Sequence, residues 1–164
     1  MTERSSPRPN RSAARPASAG LVVACAALLA SARPARADVT ATCDFFEILA
    51  KQGDKPALDG DLKVLEKKLK KPPFASSWNQ FHLLSRSQKT LAKKKAEPIA
   101  LKNGSATATL VEIVDTSKVR LTVTMADDKG KQVNNTTTIE AADYVIYVQP
   151  LAGNEGHLLS VSCR

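Results

Sequence analysis

The chain has 164 residues, and its 24 basic and 16 acidic residues give a formal net charge of +8. Six of those basic residues and one of the acidic residues lie in the first 37 positions, so the remainder holds 18 basic and 15 acidic residues, a net charge of +3. The high charge therefore belongs mainly to the N-terminal segment. It does not support nucleic-acid binding, which needs a basic folded domain.

Residues 1–37 have the pattern of a secretory signal peptide. A basic start precedes the apolar run "LVVACAALLA", and Ala35 and Ala37 occupy the small-residue positions of an A-x-A cleavage site. The pattern predicts cleavage after Ala37 and an exported protein, periplasmic or extracellular, that consists of one domain over residues 38–164. The apolar run is much shorter than the roughly 20 residues of a membrane-spanning helix, and no transmembrane segment is expected in the mature chain.

A second interpretation of the leader places lipid on Cys25. The sequence "VVAC" ending there resembles a bacterial lipobox, which would anchor the protein to a membrane through a lipidated N-terminus. Apolar residues continue past Cys25, and this continuation favours cleavage after Ala37. The leader's Ala, Arg and Pro content indicates a bacterial source.

Cys43 and Cys163 are the two cysteines of the predicted mature chain. Two cysteines allow one intramolecular pairing, and an exported protein enters an oxidising compartment where disulfides persist. We therefore predict a Cys43–Cys163 disulfide. The alternative is a pair of buried free thiols.

The first elements of the mature chain are predicted to be a strand and a helix. Residues 39–50 are rich in Val, Thr, Phe and Ile and favour a strand, with a short helix from Asp44 as the alternative. A helix is predicted over about residues 60–71, capped by Asp59 or Asp61 and stopped by the two prolines that follow. Its apolar stripe consists of Leu62, Leu65 and Leu69.

From Phe81 onward the pattern is that of β-structure. Short strands alternate with turns, and the pattern places an interruption at Pro98 and a hairpin turn at Asn103-Gly104. The segment "VNNTTTIEA" is predicted to be an edge strand because it is polar, and "YVIYVQP" a central strand because it is apolar on both faces. Seven or eight such strands predict a mainly β fold: a small antiparallel sandwich or barrel-like domain with one early helix.

One segment, "KKPPFASSWNQF", combines basic and aromatic residues. The candidate binding surface consists of Lys67, Lys68, Lys70, Lys71, Phe74, Trp78 and Phe81. Aromatic rings beside positive charge are suited to stacking on sugars or to contact with an anionic envelope polymer. The alternative is structural: the rings fill the junction of helix and sheet, and the lysines form the solvated helix end. The sequence favours the structural interpretation.

The order of these elements resembles a recurrent type of small exported bacterial β-rich protein. The residues that carry the resemblance are Leu62, Leu65, Leu69, Phe74, Trp78, Phe81, Leu83 and Leu84. The resemblance covers most of the mature chain and agrees with the β-rich fold. It implies no particular activity and no site residue.

The sequence contains no recognisable catalytic motif. His82 and His157 lack metal-ligand spacing, and no G-x-S-x-G motif is present. The acidic residues fall mostly at expected caps and turns, such as Asp54 and Asp127-Asp128. We therefore predict no metal site, no cofactor and no catalytic residue. The predicted function is a non-catalytic binding or structural domain whose partner is a protein or an envelope polymer. The alternative is a small secreted hydrolase with an unrecognised site.

Overall fold

The computed structural model describes residues 39–127 and 129–164. The predicted leader, with Cys25 and the cleavage site after Ala37, lies outside these residues. The described residues form nine strands: β1 (Thr40–Lys51), β2 (Ala57–Leu58), β3 (Gln80–Ala92), β4 (Ala96–Ile99), β5 (Ser105–Asp115), β6 (Lys118–Ala126), β7 (Gln132–Glu140), β8 (Val145–Pro150) and β9 (Gly156–Cys163).

The strands form two separate sheets, which confirms a mainly β fold of the sandwich type. The five-stranded sheet has the order β2-β3-β1-β9-β8, and the four-stranded sheet has the order β4-β5-β6-β7. β2 runs parallel to β3, so the larger sheet is mixed, while every other strand pair is antiparallel. Among the described residues, no helix is both long enough and apolar enough to cross a membrane.

The main core lies between the two sheets. Alternate residues of β1 and β9 point into it, as the two-residue period of a strand requires. The larger sheet contributes, among others, Cys43, Phe45, Leu159 and Val161, and the smaller sheet contributes Leu110, Leu121, Val123 and Met125. All eight are at most 1% exposed. The first strand and the last strand of the chain are therefore both central elements of the core.

A second core lies on the opposite face of the larger sheet, under the helical segment. Leu62, Leu65 and Leu69 are fully buried there against Phe46, Ile48 and Leu158. The predicted helix is confirmed in position but differs in form: a 3-10 helix spans Gly60–Leu65, and a single α-helical turn, α1, spans Glu66–Leu69. A 3-10 helix has three residues per turn, so Leu62 and Leu65 lie on the same side.

The cap predicted for this helix is wrong. Asp59 is the residue before the 3-10 helix, but its side chain makes no capping hydrogen bond. Its carboxylate instead accepts the backbone N–H of Leu83 at 2.8 Å and contacts the His82 ring at 3.2 Å. The chain ends α1 before Pro72 as predicted, and a short helix that the sequence did not predict, α2 (Phe74–Ser77), follows the two prolines.

Two strand predictions also need correction. β8 is an edge strand and not a central one. It is apolar on both faces because Tyr147 packs in the main core while Ile146 and Val148 pack in the second core. Pro98 does not interrupt a strand but lies within β4, where an edge position tolerates a missing N–H.

The predicted disulfide joins the first strand to the last. Cys43 and Cys163 face each other in the register of β1 and β9, with 4.1 Å between their Cα atoms and a bond between their Sγ atoms. Thr42 and Arg164 exchange two backbone hydrogen bonds, so the next pair along the ladder is a non-hydrogen-bonded pair. Such pairs bring Cα atoms closest together. The register of the two strands therefore brings the two cysteines into position.

Candidate functional site

The three aromatic residues of the candidate binding surface lie at different depths. Phe81, on β3, is only 4% exposed and belongs to the second core. Phe74 and Trp78 are half-buried and pack against the same core from the α2 segment. The structure therefore gives all three a packing role, and leaves Trp78 and Phe74 partly accessible.

Trp78 is held in one orientation by two contacts. Its indole Nε1–H donates a hydrogen bond to the carbonyl oxygen of Asn154 at 2.8 Å. Its ring lies directly over Gly156, where an added Cβ atom would come within 2.5 Å of a ring carbon. Only glycine permits so close an approach of backbone and ring. Trp78 thus fastens the α2 segment to the loop between β8 and β9.

Two adjoining clefts share Trp78 as a wall. The first has a volume of about 480 Å³ and is mostly apolar, and its lining includes Pro56, Leu58, Leu69, Trp78 and Phe81. The second, about 580 Å³, is more polar, and its lining includes Gln52, Ser76, Ser77, Asn154 and Glu155. Both volumes fall within the range of about 300 to 1,000 Å³ that is usual for ligand sites.

Asn79 and Ala75 also line both clefts, and Asn79 fixes the wall of the first one. Its side-chain amide accepts the backbone N–H of Gly53 at 2.9 Å and donates to the Gly53 carbonyl at 2.7 Å. The neighbouring Gln80 donates to the carbonyl of Lys55 at 2.8 Å. These bonds hold the loop of residues 52–56 against the start of β3, so the cleft is preformed.

The lysines beside the aromatic residues are partly neutralised. Lys68 donates to the carbonyl of Tyr144 and pairs with Asp143 at 2.7 Å. Lys70, which lines the first cleft, pairs with Glu66 at 2.5 Å, as the four-residue spacing predicts. The hydrogen bond from Lys68 holds the pKa of Asp143 below its ordinary value.

Lys67 and Lys71, the other two lysines of the surface, are both exposed, Lys67 on α1 and Lys71 just after its end. Neither residue lines the first cleft, so their side chains add positive charge to the neighbouring surface.

A second polar feature, which the sequence analysis missed, lies inside the domain. Glu47 on β1 is 1% exposed and its carboxylate accepts four hydrogen bonds. The donors are the Ser85 hydroxyl at 2.5 Å, the backbone N–H groups of Lys102 and Asn103 at 2.8 and 2.9 Å, and His157 Nε2 at 3.0 Å. We refer to these five residues as the Glu47 network.

The Glu47 network is not arranged as a nucleophilic triad. In such a triad a histidine stands between the nucleophile and the carboxylate, whereas here Ser85 and His157 both bond to a central glutamate. Burial raises the pKa of Glu47, but the four hydrogen bonds outweigh this effect and hold the pKa below its ordinary value of 4.5. The buried carboxylate therefore joins the larger sheet to the loop of residues 100–104.

The sequence offered one signal for this network. Glu47 continues the alternation of Cys43 and Phe45, and this spacing puts an acid on the core face of β1. It is an exception to the prediction that the acids serve caps and turns. His82, by contrast, is partly exposed and contacts Asp59 beside the helical segment. Within residues 39–127 and 129–164, no three His, Cys, Asp or Glu side chains are grouped to hold a metal ion.

Comparisons of the chain with protein-family models, with curated proteins and with solved structures give no match. The function is therefore inferred from the geometry of the clefts and from the charge around them.

Proposed function

We propose that the mature chain is an exported, non-catalytic binding domain that takes a segment of an envelope polymer or of a protein into the clefts beside Trp78. The observation that carries this proposal is the position of the indole ring, which is half-buried, held by its hydrogen bond to Asn154 and its contact with Gly156, and shared by an apolar and a polar cleft. Aromatic side chains with one apolar and one polar side are characteristic of recognition surfaces.

The two clefts favour a ligand with an apolar group next to a polar group. The first cleft would receive the apolar part against Leu58, Leu69 and Phe81, and the second would receive the polar part near Gln52 and Asn154. Lys70 in the lining of the first cleft and the exposed Lys67 and Lys71 near it in the chain favour a ligand of negative charge, since surface charge raises the association rate of an oppositely charged partner.

Trp78 is the chain's one tryptophan, so its fluorescence reports directly on this site. We expect titration with soluble fragments of a bacterial cell-wall polymer or with an anionic polysaccharide to change the emission of Trp78 in a saturable way. An Ala75→Tyr variant should bind at least about tenfold more weakly, because Ala75 lines both clefts and a large side chain at this exposed position obstructs them.

Ala141→Tyr is the matched control, because Ala141 is also exposed but lies in the connection between β7 and β8. Equal binding by the two variants would contradict the proposed site. The alternative function, a small secreted hydrolase, stays a prediction. A catalytic histidine in either cleft would favour it, but neither His82 nor His157 lines the two clefts. A screen for turnover of hydrolase substrates would test it.

A further inference from the structure

Most of the outer edge of β3 in the larger sheet has no paired strand. On one side β3 pairs with β1 over its whole length, from Gln80 to Ala92. On the other side the two-residue strand β2 covers only Gln80 and Phe81. The outward N–H of Leu83 is also satisfied, because it donates a hydrogen bond to the Asp59 carboxylate. Beyond Leu83, no strand among residues 39–127 and 129–164 pairs with this side of β3.

The register shows which backbone groups point outward along this edge. Thr42 exchanges both of its backbone hydrogen bonds with Arg164, so its polar groups point toward β9. The backbone N–H and C=O groups of successive residues point to opposite sides of a strand. Those of Cys43 therefore point toward β3, and those of its partner Lys89 point back toward β1. The backbone N–H and C=O groups of Gln88 and Thr90, the residues on either side of Lys89, must then point away from β1.

The residues with outward-pointing N–H and C=O groups are therefore Arg86, Gln88 and Thr90. All three are exposed. Among the residues that the structure describes, no turn, loop or further strand donates to these groups or accepts from them. A row of three such residues is the template that an added strand requires.

The charge along this edge is strongly positive. Between residues 86 and 97 the chain has five basic residues, Arg86, Lys89, Lys93, Lys94 and Lys95, and one acidic residue, Glu97. Glu97 pairs with Lys95 at 2.7 Å. Asp44, which faces the edge from β1, bonds to Gln88 and to Arg164. We refer to β3 from Arg86 onward, with the three lysines that follow it, as the basic edge.

We propose that the basic edge binds an extended acidic segment of another protein as an additional antiparallel strand. The backbone groups of Arg86, Gln88 and Thr90 supply the main-chain hydrogen bonds, and the surrounding lysines select acidic side chains. Pairing with a second copy of this chain is disfavoured, because two basic edges would place like charges side by side. The polar edge strand β7 has no comparable charge, so nothing there specifies a partner.

The test uses an eight-residue peptide of alternating valine and glutamate, with a peptide of alternating valine and lysine as the control. Fluorescence anisotropy with a labelled peptide measures binding to the full chain. We expect the glutamate peptide to bind and the lysine peptide not to bind. Raising the sodium chloride concentration from about 50 mM to about 500 mM should weaken binding, because salt screens exposed charges.

Two variants and one control test whether the peptide binds at the basic edge. Lys89 is half-buried, and Lys89→Glu should weaken binding roughly fivefold, the upper range for an ion pair near the surface. Lys129→Glu, in the turn between β6 and β7, makes the same charge change on the other sheet and should have no effect. Gln88→Pro should abolish binding, because proline removes an outward N–H while edge strands tolerate it.

Nuclear magnetic resonance gives a direct readout. On addition of the glutamate peptide, we expect the amide signals of Arg86, Gln88 and Thr90 to shift and those of β7 to stay unchanged. If Gln88→Pro fails to fold, the two lysine variants and the amide shifts still test whether the peptide binds at the basic edge. Equal binding of both peptides, equal effects of Lys89→Glu and Lys129→Glu, or self-association through β3 would each overturn the proposal.

Discussion

At the scale of single residues, the Glu47 carboxylate accepts more hydrogen bonds than any other side chain in the described part of the chain. Its carboxylate is buried in the domain and joins β1 to β3 through Ser85, to β9 through His157 and to the loop of residues 100–104 through two backbone N–H groups. A buried carboxylate is stable only when hydrogen bonds replace the water that it has lost. Here four donors do so, and the polar group links the larger sheet to the loop that precedes β5 in the smaller sheet.

We expect Glu47→Gln to destabilise the domain by about 2 to 3 kcal/mol. An amide offers one accepting oxygen, and its NH₂ group faces donors that then lack an acceptor. Glu112→Gln is the matched control, because Glu112 pairs with Arg120 at the surface and should contribute less than about 1 kcal/mol. Urea unfolding of both variants measures the difference. Equal losses of stability would contradict the role of the Glu47 network.

The same residue predicts how stability depends on pH. Its pKa is lower in the folded protein than its ordinary value of 4.5, so between these two values the unfolded chain binds more protons. The stabilisation from Glu47 is therefore complete above the unfolded pKa and is lost as the pH falls through the folded pKa. Unfolding free energies of wild type and Glu47→Gln should converge below about pH 4. A gap that stays constant from pH 7 to pH 3 would contradict this assignment.

At the scale of elements, Trp78 joins the α2 segment to the loop between β8 and β9. The indole ring spans from α2 to the start of β9, and its position depends on the absence of a side chain at Gly156. The same ring separates the two clefts. Any change that moves it therefore alters both the stability of this corner and the shape of the proposed site.

We expect Gly156→Ala to displace the Trp78 ring and to destabilise the domain by about 1 to 3 kcal/mol, the usual cost of overpacking. The fluorescence maximum of Trp78 should shift to longer wavelength as the ring moves into water. Gly60→Ala is the control, because an added Cβ there meets no atom within 4 Å. An unchanged spectrum in Gly156→Ala would show that the ring does not rest on Gly156.

The elements differ in how far the sequence predicts them. Alternation identifies strands such as β6 and β9, because it depends only on neighbours in the chain. The edge position of β8 was not predictable, because its two apolar faces result from two separate cores. The clefts depend on loops that come from distant positions, with Asn79 bonding to Gly53 and Trp78 to Asn154. Glu47 carried a signal in its buried position, but its loop partners lie 55 and 56 residues away.

At the scale of the whole molecule, the disulfide joins the two ends of the fold. Cys43 and Cys163 are separated by 120 positions in the chain. We expect the Cys43→Ala/Cys163→Ala variant to lose about 4 to 5 kcal/mol, the chain-entropy estimate for a loop of this length. Thermal unfolding with and without a reductant measures the loss. A variant as stable as the wild type would show that the register of β1 and β9 alone holds the ends together.

The start of the mature protein is a second prediction at this scale. The leader pattern predicts an N-terminus at Asp38, two residues before β1 begins at Thr40. N-terminal sequencing of the exported protein measures it directly. A lipid-modified N-terminus at Cys25 would contradict the prediction and would attach the domain to a membrane.

The disulfide between β1 and β9 also determines whether a single proteolytic cut separates the domain into two fragments. Any single cut of the main chain between Cys43 and Cys163, for example in the loop of residues 52–56, leaves both fragments covalently joined. Exposed loops are the usual sites of such nicks. A nicked molecule would migrate as the intact chain on a non-reducing gel and separate into fragments only after reduction. One cut between the two cysteines therefore does not release either fragment.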